Sequence, residues 1–202
     1  MIILCIRYFR SIFFKRDCEM RSFFTFCAGV LLLSSLSFAQ MIMKKEKMEI
    51  PNNWELVDDP SYSLYYPDSF DLDQTGQMGL DVVLLSKQNS MNDLFRENIN
   101  LMIQNLENTG IDLKQYVEIS ENQIKTVISE AHILESKRLT NNNKTFHRIV
   151  YTGKQEPYSL KWLQYYWVEK NKAYVLTLTC EVDQYDHYVK VGEKIINTFK
   201  LK

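Results

Sequence analysis

The chain has 202 residues, with 24 basic and 25 acidic side chains that give a net charge of −1. This balance argues against a strongly basic protein that binds nucleic acid. Apolar residues make up 46% and aromatic residues 13% of the sequence, so the chain can bury a core and bulk disorder is excluded. Six Gly and four Pro exclude collagen-like architectures. We therefore expect one globular domain.

Residues 1–39 predict a secretory signal peptide. A basic start leads into the apolar run FFTFCAGVLLLSSL (residues 23–36), which is too short to span a bilayer comfortably. Ser37 and Ala39 then place small side chains three and one positions before a cleavage site between Ala39 and Gln40. We expect export with cleavage at this site. The alternative is an uncleaved membrane anchor.

The start of the leader and its cysteines bear on the mature protein. Met20 would by itself start a leader of ordinary length, so the first residue is Met1 or Met20. Cys27 lacks the small residues that precede a lipid-modified cysteine, so we do not expect lipidation. Cleavage leaves Cys180 as the one cysteine and excludes an internal disulfide. Residues 1–39 hold five basic and two acidic residues, so the remaining chain has 19 basic and 23 acidic residues and a net charge of −4.

The first half of the mature chain predicts a linker and then strands. Residues 40–52 mix Met and Lys without a period and predict a flexible linker, so the domain spans residues 53–202. The extended segments are NWELVDD (53–59), SYSLYYP (61–67), MGLDVVLLSK (78–87) and DLFRENINLMIQNL (93–106). In the last segment Ile99 and Leu101 alternate with Asn98 and Asn100. We expect the isoleucine side to be buried and the asparagine side to face water.

The second half predicts two helices around a meander of strands. Residues 112–128 have helical spacing with Asp112 as the N-cap, and residues 182–199 form a second amphipathic stripe. Four segments between them alternate with period two: 132–140, 145–154, 159–169 and 173–181. Asn171 stands in the last turn, where a positive φ is needed. The order predicts an α+β fold with an antiparallel sheet of about six to seven strands flanked by helices.

Five segments of the mature chain carry a resemblance to a known family. They are YSLYYPDSF (62–70), FRENINLMIQNL (95–106), LKQYV (113–117), LKWLQYYWVEKNKAYVLTLTC (160–180) and IINTF (195–199). In this order the chain resembles the PsbP-like family, which includes the extrinsic PsbP subunit of photosystem II and DcrB-type exported bacterial proteins. The resemblance implies a curved antiparallel αβα sandwich without a catalytic centre. It also implies a role as an assembly factor, an extrinsic subunit or a binder of small proteins.

Metal-binding patterns are incomplete in this sequence. Residues 71–76 (DLDQTG) match the start of an EF-hand loop, but position 12 of that loop is Val82 where a bidentate Glu is required. We therefore expect a polar turn between two strands. His132, His147 and His187 lack the spacing of a zinc site and are predicted to be surface or half-buried structural residues. No metal and no cofactor are expected.

Nucleophile motifs are missing as well. The sequence contains no G-x-S-x-G elbow and no Walker loop. Cys180 lies in the apolar stretch YVLTLTC without a basic or His neighbour, which predicts a buried small side chain. The alternative for Cys180 is a reactive or intermolecular thiol. We expect no enzyme, and a hydrolase would require a pocket that holds a Ser or Cys beside one of the three histidines.

The densest aromatic set is the candidate surface for a partner or ligand. It consists of Trp162, Tyr165, Tyr166 and Trp167. On a strand Trp162 and Tyr166 point to one side, and Tyr165 and Trp167 to the other. One side is then core, and the other is either an exposed interface or covered by the second helix.

These observations lead to one functional hypothesis and two alternatives. The hypothesis is a non-catalytic accessory or binding protein in the periplasm or outside the cell, whose partner is another envelope protein. It involves no nucleic acid and no transmembrane segment after leader cleavage. The alternatives are a carrier of a small apolar or lipid-like ligand between sheet and helix, and a cryptic hydrolase. The sequence leaves the partner and the oligomeric state open.

Overall fold

The computed structural model describes residues 49–88, 90, 93–141 and 144–202. The predicted signal peptide and most of the predicted linker lie outside these residues. From Ile50 to Lys202 the described residues belong to one compact unit. Neither of the two α-helices in this part of the chain is long and apolar enough to cross a membrane.

The described residues form ten strands, two α-helices and one short 3₁₀ turn. The elements in chain order are β1 (Trp54–Asp58), β2 (Tyr62–Pro67), β3 (Phe70–Asp73), the 3₁₀ turn (Gln77–Gly79), β4 (Val82–Ser86), β5 (Asn98–Asn105), α1 (Leu113–Val127), β6 (Ser129–Asn141), β7 (Lys144–Gln155), β8 (Tyr158–Glu169), β9 (Lys172–Glu181), α2 (Tyr185–Thr198) and β10 (Lys200–Leu201). Seven strands form an antiparallel main sheet in the order β3-β4-β5-β9-β8-β7-β6. A smaller antiparallel sheet has the order β1-β2-β10.

The predicted α+β fold and the size of the antiparallel sheet are confirmed by the main sheet. Its arrangement differs from the prediction in one respect, because β1 and β2 do not join it. Strand β1 pairs with β2, and β2 pairs on its other side with the two-residue β10. The core-facing side chains of β2, Tyr62, Leu64 and Tyr66, are buried in the same cluster as Leu176 and Leu178 of β9. The small sheet therefore covers one face of the main sheet together with α2.

Helix α1 covers the opposite face of the main sheet. Asp112 caps it as predicted: its carboxylate accepts from the backbone N–H of Gln115, whose side chain accepts from the Asp112 backbone N–H. Four helical side chains at the predicted spacing are buried, namely Leu113, Tyr116, Val117 and Ile124. They pack in a second hydrophobic cluster with Trp162, Tyr166 and their neighbours. The main sheet is thus covered on both faces.

Helix α2 lies close against the face of the main sheet that it covers together with the small sheet, because Gly192 lacks a side chain. A Cβ built at this position would be 2.8 Å from a side-chain carbon of Leu178. Larger residues would push the helix away from the sheet. Arg148 of β7 also holds α2, since its guanidinium donates to Glu193 at 3.2 Å while contacting Glu135 of β6.

The prediction that the asparagine side of β5 faces water was wrong. Asn98 and Asn100 are 4% and 6% exposed. In the sheet they lie opposite Thr179 and Thr177 of β9, which are buried as well. Both amides donate hydrogen bonds: Asn100 Nδ2 donates to Asn98 Oδ1 at 3.3 Å, and Asn98 Nδ2 donates to the Arg96 carbonyl at 3.2 Å.

The segment 71–76, predicted to be a polar turn, begins as a strand. Asp71 and Asp73 belong to β3, which pairs with β4. Phe70 of this strand is buried in the core, and Asp71 forms an ion pair with Arg96. Only the residues after Asp73 turn, where its carboxylate accepts from the Thr75 backbone N–H at 2.8 Å.

The turn between β8 and β9 has the predicted geometry. Lys170 and Asn171 have φ values of 52° and 57°. A two-residue hairpin loop with positive φ at both positions matches the right-handed twist of its strands. This turn fixes the register in which Glu169 faces Lys172.

Candidate partner-binding surface

The four aromatic residues of the candidate set lie on β8, between β7 and β9. Their side chains alternate as predicted. Trp162 and Tyr166 belong to the hydrophobic cluster under α1, and Tyr165 and Trp167 pack with the cluster on the other face. The strand therefore contributes two aromatic side chains to each layer of the core.

Trp162 and Tyr166 are covered by their neighbours. Trp162 is 6% exposed and stacks on Tyr151, with 4.8 Å between ring centroids. Tyr166 is 2% exposed, and its ring centroid lies 6.0 Å from that of Tyr116 of α1. Its hydroxyl donates a hydrogen bond to Gln164. These two side chains are part of the α1 interface.

Tyr165 is held in an ionic network on the other face. It is 7% exposed, and burial raises the pKa of its hydroxyl although Arg148 beside it acts in the opposite direction. Burial alone would lower the pKa of Arg148, but Glu135 and Glu193 raise it overall. The guanidinium is therefore a permanent cation that joins β6, β7 and α2.

Trp167 lies in a partly buried aromatic cluster at one end of the sandwich. The cluster consists of Phe146 from β7, Trp167 from β8, and Phe199, which follows α2. Ring centroids are 5.7 Å apart between Phe146 and Trp167 and 5.0 Å apart between Trp167 and Phe199. Three separate elements thus bring aromatic rings together where they keep partial access to solvent.

Lysines lie close in sequence to two members of the aromatic cluster. Lys144 lies two residues before Phe146 and pairs with Glu169 at 3.1 Å, and Lys200 directly follows Phe199. Lys202 donates to Asp58 at 2.6 Å, which holds β10 and the chain end in place. Aromatic anchors with a charged rim are typical of protein interfaces. Of the four predicted residues, Trp167 is the one that a partner can reach directly, and a contact there stays a prediction.

One serine lies beside a histidine, as the hydrolase alternative requires. Ser136 Oγ of β6 lies 2.7 Å from His147 Nε2 of β7 and donates to Glu121 Oε1 of α1 at 2.5 Å. A serine hydroxyl has one proton, so with Glu121 as acceptor it receives from His147. In a catalytic triad the histidine accepts from the serine and the carboxylate binds the other ring nitrogen. The order Glu–Ser–His reverses these roles.

The remaining reactive groups are dispersed among the described residues. Cys180 is fully buried as predicted, and burial raises the pKa of its thiol, with the Glu97 carboxylate acting in the same direction. His132 and His187 are exposed. Burial lowers the pKa of His147. The part of the chain described by the structure has no group of three or more His, Cys, Asp or Glu that could hold a metal ion.

A shallow depression lies beside the 3₁₀ turn. Its volume is about 210 Å³, and Leu80, Val83 and Leu85 form its apolar wall. Ligand pockets for small molecules measure about 300–1,000 Å³. The volume of the depression lies below this range, and none of its lining residues belongs to α1 or α2.

Comparison with solved structures finds the same architecture in three bacterial proteins. The chain is similar to cyanobacterial PsbP from Synechocystis, with a TM-score of 0.59 and 14% identity over 77% of this chain and 96% of that one. It is similar to LpqN, described as involved in cell envelope biogenesis of Mycobacterium tuberculosis, with a TM-score of 0.52 and 12% identity over 74% and 90% of the two chains. PA94 of Pseudomonas aeruginosa matches with a TM-score of 0.50 and 12% identity over 72% and 95%.

No protein-family model and no curated protein sequence matches the chain. The structural matches therefore rest on the arrangement of strands and helices rather than on shared residues. Each covers at least nine-tenths of the other protein, so they extend over the whole domain. The resemblance expected from the order of sequence segments is confirmed: this chain has a PsbP-like fold.

Proposed function

We propose that the protein is a non-catalytic accessory protein that is exported and binds another envelope protein through the aromatic cluster of Phe146, Trp167 and Phe199. The observation that carries this proposal is the convergence of three partly buried aromatic rings from three elements. Partly exposed Trp and Phe side chains are favoured anchors of protein interfaces.

Three further observations support the proposal. The leader predicts export, and LpqN, which has the same fold, is linked to the cell envelope. Ser136 donates to Glu121 and accepts from His147, so this histidine is not placed as the base of a Ser–His hydrolase. The depression at the 3₁₀ turn has a volume below the usual range of small-molecule pockets. A binding role requires neither a catalytic serine nor a pocket for a small molecule.

The proposal is tested by capture from an envelope extract of the source organism. Immobilised wild-type protein is compared with Trp167→Ala and Trp167→Leu, and with Leu94→Ala as control. Leu94 is 78% exposed and lies near the start of β8, since the Tyr158 hydroxyl donates to its carbonyl. Nine residues of strand, or roughly 30 Å, separate that point from Trp167.

We expect a protein that wild type and Leu94→Ala retain and that both Trp167 variants lose. Circular dichroism shows whether each variant is folded, and the leucine variant keeps an apolar side chain in case the alanine variant unfolds. Equal retention by all folded variants would contradict the proposed surface. A lipid in the native mass spectrum of the gently extracted protein would favour the carrier alternative instead.

A further inference from the structure

Strand β6 forms a long free edge of the main sheet. It has 13 residues, Ser129–Asn141, and pairs with β7 on one side only. Its register is irregular up to Glu135 and regular from there to Asn141. Among the described residues, no backbone hydrogen bond from β6 reaches an element other than β7 along this regular part. Every second residue of an antiparallel edge strand directs its N–H and C=O outward.

The charged side chains of β6 that have no ion pair in the described part of the chain are positive. Both acidic side chains of β6 are paired within the fold, Glu130 with Lys154 and Glu135 with Arg148. Lys137 and Arg138 are exposed and have no ion pair among the described residues. The regular part of the edge therefore presents two cations from β6, one on each face of the sheet, and the Glu121 carboxylate of α1 is held beside them by Ser136.

The same edge borders the aromatic cluster. Leu139 of β6 lies directly opposite Phe146 of β7 in the ladder, and Phe146 stacks against Trp167. A strand added next to Leu139 would lie beside the cluster. The free edge and the aromatic rings thus form one continuous surface.

We propose that the edge of β6 from Glu135 to Asn141 binds an extended acidic segment of the partner protein as an eighth strand of the main sheet. This inference rests on the proposed function and names the chemistry of the partner. Seven residues of edge accept a segment of about 24 Å. Backbone hydrogen bonds provide affinity in such strand addition, and side chains provide specificity. Acidic side chains on the segment would face Lys137 and Arg138.

A second copy of the chain is the less suitable occupant. Two β6 edges paired antiparallel around Lys137 and Arg138 would place Lys137 of each copy directly opposite Arg138 of the other. Like charges directly opposite on neighbouring strands are destabilising. Lysines on edge strands prevent pairing between copies. Here the same charges select a partner of opposite sign.

Hydrogen exchange with designed peptides tests the proposal. The probes are a ten-residue peptide of alternating Glu-Glu and Val-Val pairs, which places Glu on both faces of the added strand, the same peptide with Lys in place of Glu, and the Glu peptide with central prolines. Amide exchange is followed by NMR in the wild type, in K137E/R138E and in the matched control K190E/K194E. Lys190 and Lys194 are exposed on α2 and also lack an ion pair among the described residues.

We expect the Glu peptide to slow exchange of alternate amides between Glu135 and Asn141 at least tenfold in wild type and K190E/K194E. The proline peptide should not do so, and K137E/R138E should prefer the Lys peptide. Protection elsewhere, or equal effects of both charge types, would overturn the proposal. Protection of β6 that increases with protein concentration without peptide would identify a second copy and would also overturn it.

The capture experiment separates this inference from the proposed function. If K137E/R138E retains the partner as well as K190E/K194E does, while Trp167→Ala loses it, the aromatic surface stands and the added strand is refuted. If Trp167→Ala retains the partner while the Glu peptide still protects β6, the proposed aromatic surface fails and the edge remains a binding site.

Discussion

The two edge strands of the main sheet differ in length, charge and cover. Strand β3 has four residues, and its Asp71 is paired with Arg96. Strand β6 has 13 residues, most of them exposed, and carries the unpaired cations Lys137 and Arg138. Short edge strands are poor templates for an added strand, whereas long ones are good templates. The difference indicates that the β3 edge of the main sheet is protected against an added strand, whereas the β6 edge is accessible to one.

The largest effect on stability is expected from a substitution next to the first residues of β6. Gly153 of β7 lies where α1 leads into β6, and a Cβ there would be 2.4 Å from Ile128 Cγ2 and 3.0 Å from the Ser129 carbonyl oxygen. We predict that Gly153→Ala lowers the free energy of unfolding by about 3 kcal/mol, because the β6 backbone must move. Urea denaturation measures this.

Gly192→Ala is the matched control for Gly153→Ala. Its added Cβ meets the flexible side chain of Leu178, and alanine favours the helix. We expect a loss of less than about 1.5 kcal/mol. An equal loss in the free energy of unfolding for both variants would contradict the view that Gly153 is required for close packing against Ile128 and Ser129.

Each edge strand has an ion pair with one arginine, Arg148 for β6 and Arg96 for β3, and these two arginines provide the next comparison. Arg148 joins β6, β7 and α2 through Glu135 and Glu193, and its side chain is 18% exposed. We predict that Arg148→Met costs about 2 kcal/mol of stability, because two carboxylates lose their partner. Arg96→Met should cost about 1 kcal/mol, since the Asp71 pair at β3 is more exposed. Thermal denaturation ranks them, and the reverse order would contradict the view that β6 is held more firmly.

A buried carboxylate on the β3 side should make stability depend on pH. Glu97 is almost fully buried and receives a hydrogen bond from Ser86 at 3.3 Å, and burial raises its pKa. A carboxyl group with a raised pKa in the folded state binds its proton more tightly there than in the unfolded chain. Stability is therefore lost as pH rises from the ordinary pKa of a glutamate through the raised value.

We predict that Glu97→Gln is more stable than wild type at pH 7 and equally stable at pH 4, as measured by urea denaturation. The amide keeps the size of the side chain and removes the charge. A constant difference between the two pH values would show that the charge of Glu97 is not the cause.

The smallest effect on stability is expected at the free edge. K137E/R138E should change the free energy of unfolding by less than about 0.5 kcal/mol, because both side chains are exposed and unpaired. A calorimetric melting temperature within about 2 °C of wild type would agree with this expectation. A larger loss would mean that these cations support the fold, and the edge would not be a free surface.

The sequence predicted what local periodicity controls. The stripe of α1, the cap at Asp112, the opposite directions of Trp162 and Tyr165, and the turn at Asn171 all follow from spacing and residue type, and the structure agrees. These features depend on neighbours within a few residues.

Features that depend on distant partners escaped prediction. The asparagines of β5 are buried beside Thr177 and Thr179 of β9, a distant segment that alternation within β5 does not reveal. The incomplete EF-hand pattern of residues 71–76 predicts a turn, but Asp71 and Asp73 belong to β3, which pairing with β4 and the contact of Asp71 with Arg96 hold in place. The cluster around Trp167 required Phe146 and Phe199, which are far apart in sequence.

The central claim is that the surface at Trp167 contacts a partner in the cell envelope. It is tested most directly by placing a photoreactive amino acid at position 167, or at position 94 as control, and irradiating intact cells. We predict a discrete crosslinked species of higher mass from position 167 and none from position 94. The absence of a crosslink at 167, or the same species from both positions, would contradict the account.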